Sequence, residues 1–167
     1  MLLDLIDLKR LRRLALYIGI IILMQTFQNL FLSRIKFLGV KVLFSPALIA
    51  AIGMLEGGVT GGYLGLLAGF LLDMSYPENT ILFTVLFTVF GFFSGYISEY
   101  YINKRLFSYL FIAAAALLIT SACQGIGALV SYRADIKAIV TVAFFQFAWS
   151  LPFSVPAYLM CKAVADS

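Results

Sequence analysis

Residues 53–73 read GMLEGGVTGGYLGLLAGFLLD, and the way this stretch divides decides the fold. Gly53, Gly57, Gly61, Gly65 and Gly69 recur at every fourth position, and the next step of the same spacing is Asp73. On a helix such a row is a ridge, so a row of glycines is a shallow groove in which a second helix can lie. In water each glycine would weaken the helix by roughly 1 kcal/mol relative to alanine. The residues between them, including Leu64, Leu66, Leu67, Phe70, Leu71 and Leu72, are apolar. That combination points to a membrane, where small-xxx-small spacing marks close helix contact.

The apolar region around this stretch runs from Val42 to Leu72 with Glu56 as its single charge. A helix of about 30 residues would be roughly 45 Å long, against a hydrocarbon core of about 30 Å. Two short spans, 42–55 and 59–73, fit better, with the break at Glu56-Gly57-Gly58. Gly53 then lies on the second span and Gly57 in the turn, leaving Gly61, Gly65, Gly69 and Asp73 on one continuous third span.

Outward from there, Ser75 to Thr80 form a turn in which Asn79 or Thr80 can cap the next helix. A fourth span, 80–98, carries a second small-residue pair, Gly91 and Gly95. The fifth, 106–130, contains the run Ala113 to Ala116, and the sixth, 138–160, should be kinked by Pro152 and Pro156. Towards the N-terminus, the apolar run 14–32 is longer than the ~7 to 15 residues of a signal peptide core and reads as an uncleaved anchor. Residues 1–13, with Lys9, Arg10, Arg12 and Arg13, read as a cytoplasmic interfacial segment. The expectation is an all-α integral membrane protein, one transmembrane domain over 1–167 with six transmembrane helices.

Whole-chain composition agrees. Of 167 residues 63% are hydrophobic and 12% charged, with a mean hydropathy of +1.03, whereas globular chains carry ~25% charge. Almost nothing remains for a soluble catalytic domain. The net charge of +4 resides in short segments beside apolar spans, not on a soluble face, so nucleic-acid binding is not expected. His is absent, and Cys123 and Cys161 have no ligand-like spacing, which removes the usual zinc, haem and Cys-His chemistries. No cofactor is expected.

Lys and Arg placement sets the orientation. With six spans, seven cations fall inside (Lys9, Arg10, Arg12, Arg13, Lys104, Arg105, Lys162) and five outside (Arg34, Lys36, Lys41, Arg133, Lys137). Five spans would erase the bias. Both termini are therefore expected in the cytoplasm.

Polar residues within spans are costly and hence informative. Gln25, Gln28 and Asn29 on the first span, Asp73 on the third, Gln124 on the fifth and Gln146 on the sixth share one depth near the outer leaflet. They either glue helices together or form an outer polar cluster that binds a partner or ligand. Asp73 at a helix C-terminus faces the unfavourable end of the dipole and needs a donor. Glu56 reads as a turn residue or a hinge, and Ser150, Pro152, Ser154 and Pro156 as a kink or an ion path.

Taken together, Gln25, Ser45-Pro46, the segment Gly65-Leu-Leu-Ala-Gly69-Phe-Leu-Leu-Asp73, the Gly91-Phe-Phe-Ser-Gly95-Tyr96 pair and the tail from Trp149 to Lys162 resemble the rod shape-determining protein MreD family. The resemblance covers nearly the whole chain, and Gly65 to Asp73 is its most specific part. It implies a bacterial inner or plasma membrane protein of the cell-elongation machinery with no catalytic activity, supporting peptidoglycan synthesis and rod shape. The implied partners are an MreC-like bitopic protein, RodA, a class B penicillin-binding transpeptidase and, indirectly, the actin-like MreB. The implied fold is similar to the S components of energy-coupling factor transporters. On this reading the glycine groove, with Asp73 at its end, and the outer polar cluster receive the partner's transmembrane helix or juxtamembrane segment. The alternative is a vitamin-binding S component. An intramembrane enzyme is disfavoured, since there is no Ser-His pair, HExxH or paired intramembrane aspartate.

Overall fold

The computed structural model describes residues 2–32, 43–75, 81–100, 106–132 and 136–166. These form six helices: α1 (Leu2–Phe27), α2 (Ser45–Glu56), α3 (Gly58–Ser75), α4 (Leu82–Tyr100), α5 (Leu106–Tyr132) and α6 (Ile136–Ala165). A π-helical turn, Gln28–Leu32, continues α1. The described residues are thus all-α. Four helices, α1, α4, α5 and α6, are long and apolar enough to cross a membrane. At 12 residues, α2 is only about 18 Å long. In α3 the glycines dilute the apolar content that its 18 residues would otherwise carry.

The short helix is the centre of the molecule. Every residue of α2 from Ser45 to Met54 is buried, and α2 touches each of the other five helices. Pro46 opens it, where a missing N–H costs nothing. The Phe44 carbonyl accepts the Ala47 and Leu48 N–H groups at 3.0 and 3.1 Å. At the other end Gly57 adopts φ +96°, a left-handed value that a side chain would resist. Its N–H bonds to Gly53 O at 2.9 Å, and its carbonyl accepts Gly61 N–H at 3.0 Å. One residue therefore ends α2, begins α3 and reverses the chain, within the Glu56–Gly58 turn inferred from span length.

Around α2 the contacting neighbours follow the order α1, α3, α4, α5, α6 and back to α1. Ile21, Leu48, Ile49, Ile52, Leu72 and Phe87 fill the interior. The outside is apolar as well, with Phe111 79% and Phe107 78% exposed. A surface of this kind suits lipid rather than water.

Three local features differ from the sequence-based expectation or lie beyond it. The basic N-terminal segment is not separate, because α1 runs without a break through residues 13 and 14. Helix α6 is continuous through Pro152 and Pro156, which lie inside it. The Asn79 or Thr80 cap, and the loop cations Arg34, Lys36, Lys41, Lys104, Arg105 and Arg133, lie outside the described residues.

Candidate functional site

The glycine groove is full, and α4 fills it. An ideal Cβ on Gly61 would lie 2.5 Å from the Gly91 carbonyl oxygen, and one on Gly69 would lie 2.5 Å from Phe83 O and from Thr84 Cα. A Cβ on Gly65 would overlap the Phe87 carbonyl. From the other side, Gly91 meets the Gly61 backbone and Gly95 the Gly58 backbone. The two small-residue rows are therefore complementary faces of one seam. Main chains approach closely enough for Cα–H groups to face carbonyls, a geometry in which weak C–H···O contacts form. Gly53 joins them across the turn: Gly61 packs on its Cα, and Gly91 O and Ser94 Oγ lie against it. The row that the turn at Gly57 cuts is folded back on itself.

Asp73 closes the seam. Its carboxylate accepts Phe83 N–H at 3.1 Å, Thr84 N–H at 2.8 Å and the Thr84 hydroxyl at 2.6 Å. The two N–H groups are first-turn donors of α4, which that helix cannot satisfy internally. Asp73 thus caps α4 from α3, and the positive end of the α4 dipole compensates for its place at the α3 C-terminus. It is 5% exposed. Gly61, Gly65, Gly69, Asp73, Gly91 and Gly95 therefore form one continuous structure, but it is internal to the chain. The expectation that a partner's helix lies in this groove is corrected, because a neighbouring helix of the same chain with its own glycines already occupies it.

The amides engage three separate sets of partners rather than one another's whole set. Gln25 donates to Ala68 O at 2.7 Å, and Asn29 donates to Ser75 Oγ at 3.4 Å, both on α3. Gln28 Oε1 accepts Phe44 N–H at 3.2 Å and the Ser45 hydroxyl at 2.9 Å, serving as the cap that α2 lacks locally. Gln146 donates to Gln124 at 3.4 Å, linking α6 to α5. Of the set singled out on α6, Ser150 Oγ accepts Leu43 N–H at 3.2 Å and the Ser154 hydroxyl bonds to Leu151 O at 2.6 Å. Both serines are fully buried against the interior.

Sequence reasoning passed over the tyrosines. Tyr109, fully buried, donates to Ser154 O at 2.9 Å and Ala47 O at 3.1 Å, tying α5 to α6 and α2. Tyr17 donates to Glu56 at 3.1 Å, and Arg13 stands 3.9 Å from the same carboxylate. Glu56 is thus a joint between α1 and the α2–α3 turn. A phenol inside an apolar span needs a partner, and that was the available signal.

Two openings flank α4. Between α4 and α5, whose contact is sparse, lies a cleft of about 280 Å³ lined by Val89, Phe93, Ile97, Ile112, Ala115 and Ile119 among others. On the outer face of α3 and α4 lies a groove of about 410 Å³. Among the described residues no group of three or more His, Cys, Asp or Glu could hold a metal ion. No protein-family model, curated protein or solved structure matches the chain.

Proposed function

We propose that this chain is a non-enzymatic scaffold of a bacterial cell-elongation machinery, of the MreD kind, supporting peptidoglycan synthesis and rod shape. On this reading it crosses the inner or plasma membrane six times with both termini in the cytoplasm, in a fold similar to the S components of vitamin transporters. Its direct partner is the transmembrane helix of an MreC-like bitopic protein; RodA and a class B penicillin-binding transpeptidase stand next in the assembly, and MreB acts indirectly.

The observation that carries the reading is the assignment of the polar groups. Asp73, Gln25, the Oε1 of Gln28 and the Gln124–Gln146 pair are bonded to helix ends, main chain and each other, while the buried Gln28 Nε2 has no partner among the described residues. The outer groove of α3 and α4 and the α4–α5 cleft are apolar and open sideways. Such an opening takes an apolar helix, whereas a water-soluble vitamin needs convergent polar groups. This ranks the S-component reading second. Since α4 fills the glycine groove, the partner's helix is assigned to the α4–α5 seam.

Copurification in mild detergent tests this. An Ala115→Trp substitution, which fills the seam from an exposed position, should cut recovery of a coexpressed MreC-like partner by about tenfold. Yield and thermal unfolding of the scaffold itself should not change. Undiminished recovery removes the seam as the site, and failure of the unsubstituted chain to recover the partner rejects the scaffold reading.

A further inference from the structure

At the end of the bundle that carries the α2–α3 turn, a cleft of about 330 Å³ is lined by Arg10, Glu56, Thr60, Tyr96, Glu99 and Tyr100 together with the turn backbone. It is the polar opening beside an apolar one: the groove of about 410 Å³ along the outer face of α3 and α4 shares Val59 and Phe92 with it. Phe92, Tyr96 and Tyr100 form a ladder of rings down α4 from groove to cleft, with centroids 6.5 and 4.8 Å apart. A single continuous site thus has an apolar track facing lipid and a charged head at the membrane edge.

The head carries both signs. Glu56 is engaged by Tyr17 and Arg13. Arg10 and Glu99, by contrast, make no hydrogen bond or ion pair among the described residues. The Glu99 carboxylate lies over the turn, 3.1 Å from where a Cβ on Gly57 would stand, and it belongs to the C-terminal turn of α4, where the helix dipole favours a cation. Tyr96 and Tyr100 add ring faces that attract an ammonium group. Arg10 and the start of α3 favour an anion. A purely anionic headgroup would meet two carboxylates, and a purely cationic one would meet the arginine. We propose that this site binds a zwitterionic glycerophospholipid, with its ammonium towards Glu99 and the tyrosines, its phosphate towards Arg10, and an acyl chain in the α3–α4 outer groove.

Gly62 supplies a clean block. It lines the groove, yet a Cβ there would meet only ordinary contacts, 3.7 Å from Phe92 Cβ and 3.9 Å from Thr88 O. The Cβ of Gly62→Leu therefore meets no main chain closer than van der Waals contact, and the rest of the side chain is expected to enter the groove that Gly62 lines. The experiment is native mass spectrometry of the full chain taken from vesicles of equimolar dioleoyl phosphatidylethanolamine and dioleoyl phosphatidylglycerol. The unsubstituted protein should retain phosphatidylethanolamine over phosphatidylglycerol by about fivefold or more, and Glu99→Gln should abolish that preference. Gly62→Leu should reduce retained lipid about fivefold at unchanged thermal unfolding. Equal retention of the two lipids by the unsubstituted protein, or undiminished phosphatidylethanolamine on both variants, overturns the assignment.

Discussion

The two sides of α4 are built from opposite materials. Towards α3 and α2 it presents Gly91, Ser94, Gly95 and Ser98, all buried, and the main chains meet. Towards α5 it presents Val89, Phe93 and Ile97, and the seam stands partly open. Large side chains hold helix axes apart, and where two rows of them do not interdigitate, a cleft remains. Small residues remove that spacer, so that close contact over the whole length replaces side-chain packing. In a bilayer, where lipid tails are as apolar as leucine, this difference in fit decides which seams close.

The strongest way to break the contrast is to put a spacer in the closed seam. Gly65→Leu must push aside the Phe87 carbonyl, which is main chain and cannot rotate away. It should abolish recovery of monodisperse protein in mild detergent; a normal elution profile and unfolding curve would show that α3 and α4 do not depend on this contact. Next in size is the seam's polar end. Asp73→Ala strands the Phe83 and Thr84 N–H groups and should destabilise by about 2 to 4 kcal/mol in reversible unfolding in mixed micelles. Asp73→Asn keeps an acceptor and should cost less than half of that.

Gln25→Leu removes a single bond from α1 to Ala68 O and should cost about 1 kcal/mol by the same measurement. The smallest effect belongs to the open seam. Ala115→Leu adds bulk where there is room and should leave stability within about 0.5 kcal/mol. A loss comparable to that at Asp73 would mean that the α4–α5 cleft is as tightly fitted as the glycine seam.

The division of labour between sequence and tertiary structure follows from these residues. The glycine period announced a close helix contact, and span length located the reversal at Glu56 to Gly58, because both are properties of one segment. Asp73 was recognisable as a group in need of donors, since a carboxylate at a helix C-terminus is unfavourable wherever it sits. Depth arithmetic put the amides at one level but could not pair them. Depth is one coordinate, whereas a hydrogen bond requires all three.

By itself, then, the sequence determined that this chain is a membrane-type, all-helical protein whose third helix carries a smooth track with an acidic end. Only the tertiary structure decided that α4 occupies the track, that its first-turn N–H groups satisfy Asp73, and that the shortest helix becomes the centre. A groove specifies the shape of its occupant and not its identity, so Gly91 and Gly95 could be matched to Gly61 and Gly58 only once the helices were packed. Main-chain donors and acceptors are the same in every residue type, so contacts made through them leave almost no mark on the sequence.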